Sequence, residues 1–245
     1  MRFIAVKFYS GIILTNDDVL SWYVKRFRVK QKFLFFPIIQ KDQDFRLLLE
    51  NALPVSKILE DTYHLEGRQV LLFVGRLIDI KNLFFLLDAL ALVVNRYPKV
   101  ILLFVGDGDQ RVALERHAER NGLADHVIFA GKKQGKDLYA CYNVGQIFVL
   151  PSYYERFGAV VNEALLAGCY TLCSSAAGAA CLVNPLENGA IFDSHSKDGL
   201  VEQLTVALDM TPVLSELRLK ENKMLNSYDT YFANFMNRLD DLLNK

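Results

Sequence analysis

The amino-acid sequence predicts an α/β protein built on a doubly wound parallel sheet, and three observations carry that expectation. Wholly apolar runs of strand length recur along the chain, amphipathic stretches of helix length separate them, and glycine-bearing turns sit at the junctions. Val70 to Val74, Val100 to Val105, Val127 to Ala130, Gln146 to Leu150 and Tyr170 to Ser174 are the expected strands. Their lack of polar alternation fits strands covered on both faces. Asn82 to Tyr97 and Arg111 to Asn121, the latter closed by Gly122, are the helices between them. Alternation of this kind makes a parallel sheet with right-handed crossovers.

Composition narrows the class further. The chain has 245 residues, 52% of them hydrophobic, with 28 basic and 28 acidic side chains. That length supports one or two cores, and the balanced charge gives no reason to expect a nucleic-acid partner. No run approaches the ~18 apolar residues of a spanning helix, and Met1 to Phe8 is too short and interrupted for a signal peptide. Cys141, Cys169, Cys173 and Cys181 form no Cys-x-x-Cys pair and sit among apolar or small residues. Buried, reduced thiols and a cytoplasmic setting are therefore expected. His64, His117, His126 and His195 are scattered, no metal-ligand spacing appears, and there is no Gly-x-Ser-x-Gly elbow. Chemistry without a metal or other cofactor is the expectation.

The chain is organised around Pro151 to Gly168, where the strand ending at Leu150 passes through a polar loop into a helix. Pro151 ends the strand ladder, so the loop starts at a carboxyl strand end, the edge at which open α/β sheets bind ligands. Gly158 lets backbone approach a ligand closely, and the helix that follows offers unpaired N–H groups. Glu155 in the loop and Glu163 in the helix are carboxylates able to accept from vicinal hydroxyls, as a phosphorylated sugar requires. The residues alone equally allow Glu155 to be a solvated loop charge and Glu163 a helix-start carboxylate favoured by the macrodipole.

Read as Pro-Ser-x-x-Glu-x-Phe-Gly-x-x-x-x-Glu-Ala-x-x-x-Gly, this stretch resembles the Glu-x7-Glu signature of retaining glycosyltransferases of the GT-B fold, family 4. The match is long and specific, far beyond a lone glycine motif. The other loops agree with it. Gly75 to Lys81 resembles the family's Gly-Arg-Leu-x-x-x-Lys loop, and Arg76 and Lys81 beyond a strand end can neutralise a diphosphate, one as a planar fork and one as a point charge. Gly106-Asp107-Gly108 resembles the Val-Gly-x-Gly turn; the third glycine of a dinucleotide fingerprint is replaced by Arg111. Gly131 to Asp137 misses the phosphate-loop pattern by one residue and resembles the loop near the nucleotide base, with Lys132 as a further contact. Ala176 to Cys181 stands where the family has a glycine pair and then an acid, so Cys181 replaces that acid.

The resemblance implies a nucleotide-sugar donor, a UDP-sugar, and a glycan, lipid-linked or other hydroxyl acceptor. It implies Arg76 and Lys81 on the diphosphate, Glu163 on the ribose, and Glu155, Phe157 and Gly158 facing the sugar, with Glu155 the catalytic residue. Two other readings are open: a non-catalytic sugar-nucleotide-binding module, and a sugar-nucleotide epimerase of the same fold.

The flanks resemble the family more loosely. Residues 1–39 contain strand patterns at Ile12 to Thr15 and Phe33 to Ile39 and resemble the last βαβ unit of the amino-terminal domain, with the earlier part missing. Between them, Trp22 to Lys32 interleaves five basic residues with aromatics. Such a helix suits either peripheral contact with an anionic membrane or an ordinary surface whose aromatics pack inward. Residues 40–68, polar and holding Pro54 and Gly67, read as an irregular linker into the donor-binding domain of residues 69–226. Helices are expected over Leu200 to Leu208 and Leu214 to Asn226, and a last one, Tyr228 to Leu243, resembles the terminal helix that returns to the amino-terminal lobe. An exposed cleft wall would favour self-association or a partner chain.

Overall fold

The computed structural model describes residues 11–15, 20, 24–25, 32–185 and 187–243. Met1 to Phe8 and most of the basic stretch 22–32, which carry sequence expectations, lie outside them.

The core is a six-stranded parallel sheet: β3 (Gln69–Val74), β4 (Val100–Val105), β5 (Val127–Gly131), β6 (Ile147–Leu150), β7 (Tyr170–Ser174) and β8 (Gly189–Phe192). Its order is β5-β4-β3-β6-β7-β8, so the winding reverses between β3 and β6, which pair Leu71 with Ile147. Every residue of β3, β4, β6 and β7 is buried, which is why these strands read as unbroken apolar runs. The layers on the sheet include α3 (Leu83–Val93), α4 (Arg111–Arg120), α5 (Lys136–Val144), α6 (Val160–Leu166) and α7 (Lys197–Met210). Leu83, Leu86, Leu87, Leu90 and Val93 of α3 are buried, the 3-4-3 spacing of a core-facing stripe.

A two-stranded parallel sheet pairs β1 (Gly11–Leu14) with β2 (Lys32–Phe35), and the terminal helix α8 (Tyr228–Leu243) packs beside it. Phe36 meets Tyr228, Phe232 and Phe235 edge-on at 5.4 to 6.4 Å, an aromatic contact that anchors α8. Among the described residues no helix is long and apolar enough to cross a membrane.

Two sequence expectations are corrected. The segment 40–68 is not irregular: it forms α1 (Asp42–Asn51) and α2 (Leu53–Thr62). Phe45, Leu49, Ala52 and Leu59 are buried at helical spacing, and Pro54 lies in the first turn of α2, where a missing N–H costs no helical bond. Conversely, residues 214–226 form no helix. Their polar groups are taken by tertiary partners: Leu214 exchanges bonds with Gly67 and Arg68, and Lys223 N donates to Leu165 O at 2.9 Å. The half-buried Lys220 ammonium donates to the carbonyls of Tyr142, Asn143 and Gly145.

Candidate functional site

The loops leaving the carboxyl ends of the strands are stitched into one edge. Gly75 N donates to Val105 O, Leu77 N to Asp107 O, Gln110 N to Leu77 O, and Gly106 N to Gly131 O, all at 2.9 to 3.0 Å. These bonds bring the first two loops so close that a Cβ on Gly106 would lie 1.8 Å from Gly75 O, and one on Gly108 2.2 Å from Leu77 O. The glycines of the Gly-x-Gly turn therefore serve loop-to-loop packing.

Across the switch point, Tyr153 N donates to Ile80 O at 3.0 Å, tying the loop after β6 to the loop after β3. The signature loop then bridges the loop after β7: Glu155 N donates to Ala176 O, Gly178 N to Glu155 O and Ala179 N to Phe157 O. Gly158 has φ +92, and a Cβ there would lie 2.9 Å from Leu150 Cδ2.

Within this edge Lys81 forms an ion pair with Glu155, joining side chains from the two sides of the switch point. Both are largely buried, with side-chain exposures of 14% and 21%, so the pair is poorly screened. Arg76 is exposed, and its side chain forms no hydrogen bond or ion pair among the described residues. Lys132 is exposed just beyond β5 on the same edge.

Glu163 lies in the first turn of α6, and its Oε2 accepts from the Tyr142 hydroxyl at 2.6 Å. Burial pushes the Glu163 carboxyl above the usual range, and the Tyr142 bond opposes that rise. The Tyr142 phenol, fully buried, is pushed well above its ordinary value by burial and then by the adjacent carboxylate.

Two expected roles change. The Phe157 ring is 3% exposed and part of the core, so only its main chain lies in the loop network and its side chain is turned away from the exposed edge where a sugar contact was expected. Cys181 is exposed, unlike the other cysteines; its loop packs toward α8, and it lines a cavity of about 270 Å³ with Tyr231, Asn234 and Arg238. Cys141, Cys169 and Cys173 are buried, and burial raises all three thiols, Cys141 to about 12. They stay protonated and inert.

Sequence reasoning missed Tyr142, whose place in an apolar helix carries no sign of its partner. It also passed over Ser152 Oγ and Gln110 Oε1, buried at this edge without a hydrogen-bond partner among the described residues. Only the position of Ser152 inside the signature could have marked it. Among the described residues no group of three or more His, Cys, Asp and Glu side chains is placed to hold a metal ion.

A reversed sheet with its loops gathered at the switch point defines the class, an α/β domain of the GT-B glycosyltransferase fold. The chain belongs to the family described as glycosyl transferases group 1, which matches residues 56–224. It is similar to an uncharacterized glycosyltransferase of Methanocaldococcus jannaschii, with 33% identity over 170 residues covering 68% of this chain and 42% of that protein. The chain thus spans under half the length of that relative. The crystal structure of Anabaena HepE in complex with UDP superposes with TM-score 0.77 and 20% identity over 98% of this chain and 65% of that one. The carboxyl-terminal domain of LpcC, a group 1 glycosyl transferase of Francisella tularensis, matches with TM-score 0.58 and 20% identity, over 71% of this chain and 90% of that one.

Proposed function

We propose that this chain supplies the donor side of a retaining, family 4 glycosyl transfer from a UDP-sugar to a hydroxyl on a glycan or lipid-linked acceptor. The observation that carries the reading is the Lys81–Glu155 pair across the switch point, where open α/β sheets take their ligands. Arg76 and Lys81 hold the diphosphate, Glu163 accepts from the ribose, and Gly158 lets the main chain approach the sugar. Membership of the group 1 family supports the reaction class, and the UDP complex of HepE supports the base.

The pair also suggests how binding is coupled to chemistry. Without donor, the Lys81 ammonium is neutralised by Glu155; an arriving diphosphate, carrying more charge, takes over the ammonium and frees the Glu155 carboxylate to accept from sugar hydroxyls. As the donor bond breaks, Arg76 and Lys81 stabilise the growing charge on the leaving diphosphate while the acceptor hydroxyl attacks the same face. Holding both reactants supplies much of the remaining gain.

Calorimetry checks the assignment. Lys81→Ala and Arg76→Ala are each expected to weaken UDP binding by about 1–3 kcal/mol; unchanged affinity in both removes the diphosphate site. Transfer from a UDP-sugar, followed by nuclear magnetic resonance, is expected to give a product that keeps the donor's anomeric configuration.

A further inference from the structure

We propose that Tyr142 is a positioning residue for the nucleotide-reading carboxylate: its hydroxyl, 2.6 Å from Oε2, fixes Glu163 so that Oε1 is presented to the ribose hydroxyls. The inference rests on the proposed ribose role of Glu163 and deepens it.

A free glutamate has three side-chain torsions, and ordering them on binding costs affinity. Here the order is built in beforehand. Tyr142 is itself packed in place: it is fully buried, its ring meets Phe45 of α1 edge-on at 6.3 Å, and its carbonyl accepts from Lys220 Nζ at 3.1 Å. Phe45 against the ring and Lys220 on the main chain thus hold the residue that holds the carboxylate. A carboxylate oxygen can accept two hydrogen bonds, and Oε1 has no protein donor among the described residues, while Glu163 is only half-buried. The same bond sets the charge state. Burial favours the neutral acid, the phenol donor favours the ionised form, and among the described residues no other charged or titratable side chain weighs on Glu163. The phenol keeps its proton, and so remains a donor, throughout the neutral range.

The test uses the full chain, with UDP and inorganic pyrophosphate as ligands. Tyr142→Phe is expected to weaken UDP about three- to tenfold and pyrophosphate by less than about twofold, because only UDP carries ribose. The acid limb of UDP affinity should move to higher pH, since removing the donor lets the Glu163 pKa rise further. If Tyr142→Phe is too unstable to titrate, 3-fluorotyrosine at position 142 keeps the fold and strengthens the donor, and the limb should then move to lower pH. An unmoved limb, or equal losses for the two ligands in Tyr142→Phe, overturns the inference. Glu163→Gln separates this from the reading beneath it. If Glu163→Gln weakens UDP selectively and the Tyr142 variants do not, positioning fails alone; if it weakens both ligands equally, the ribose assignment itself fails.

Discussion

At the scale of single residues, the site depends on side chains that are absent as much as on those present. Gly106 has φ +145 and sits where a Cβ would meet Gly75 O at 1.8 Å, whereas Gly122, with φ +69, has nothing within 4 Å of its missing Cβ. Both positions strain an L-residue, but only the first also forces two loops apart. Gly106→Ala is therefore expected to cost about 2–5 kcal/mol and Gly122→Ala about 1–2 kcal/mol, compared by urea unfolding. Equal costs would mean that the Gly75 and Gly106 loops are not in close contact. Lys81 and Glu155 illustrate the complementary point: two residues 74 apart in sequence share a charge-compensated site that neither loop could build alone.

At the scale of elements, α6 is held from outside the sheet. The segment around α1 grips it at both ends: Gln40 N donates to Asn162 Oδ1 at 2.7 Å, and Arg46 Nη1 donates to Leu166 O at 2.9 Å and to Lys220 O at 2.8 Å. Phe45 meanwhile packs on Tyr142 and Tyr139 of α5. One arginine thus ties α1, the end of α6 and the irregular segment 214–226 together. Arg46→Ala is expected to cost about 1–3 kcal/mol, because it leaves two carbonyls without their charged donor. Hydrogen exchange should show amides of α6 and of residues 220–224 opening faster, with β3 and β4 unchanged. Uniform acceleration across the sheet would indicate that the contact supports the whole fold and not this clamp.

At the scale of the whole molecule, one sheet edge gathers the loops after β3, β4, β5, β6 and β7 through backbone hydrogen bonds. A ligand touching several of these loops stabilises the folded chain as a unit. UDP at a hundred times its dissociation constant is expected to add about 2.7 kcal/mol, a rise in Tm of about 5–10 °C for a chain of this size. Scanning calorimetry measures it, and the rise should shrink in Lys81→Ala at the same UDP concentration. A full rise in that variant would place the nucleotide elsewhere.

The sheet was legible in the sequence because burial on both faces requires unbroken apolar runs, and β3, β4, β6 and β7 supply them. The loops were legible because glycines, Arg76, Lys81 and Glu155 are unusual at strand ends, and long motifs survive without structural context. Other features required tertiary contacts that a local pattern cannot report. Pro54 disguised α1 and α2, whose stripe is completed only by packing on α5. Residues 214–226 have helical composition, but their backbone groups find partners elsewhere in the chain. Phe157 stands among loop residues and turns its ring into the core. Tyr142 and Glu163 meet because α5 and α6 flank one strand, a neighbourhood set by chain topology. Local sequence chose the elements and the chemistry at their ends; long-range packing decided which of those groups face one another.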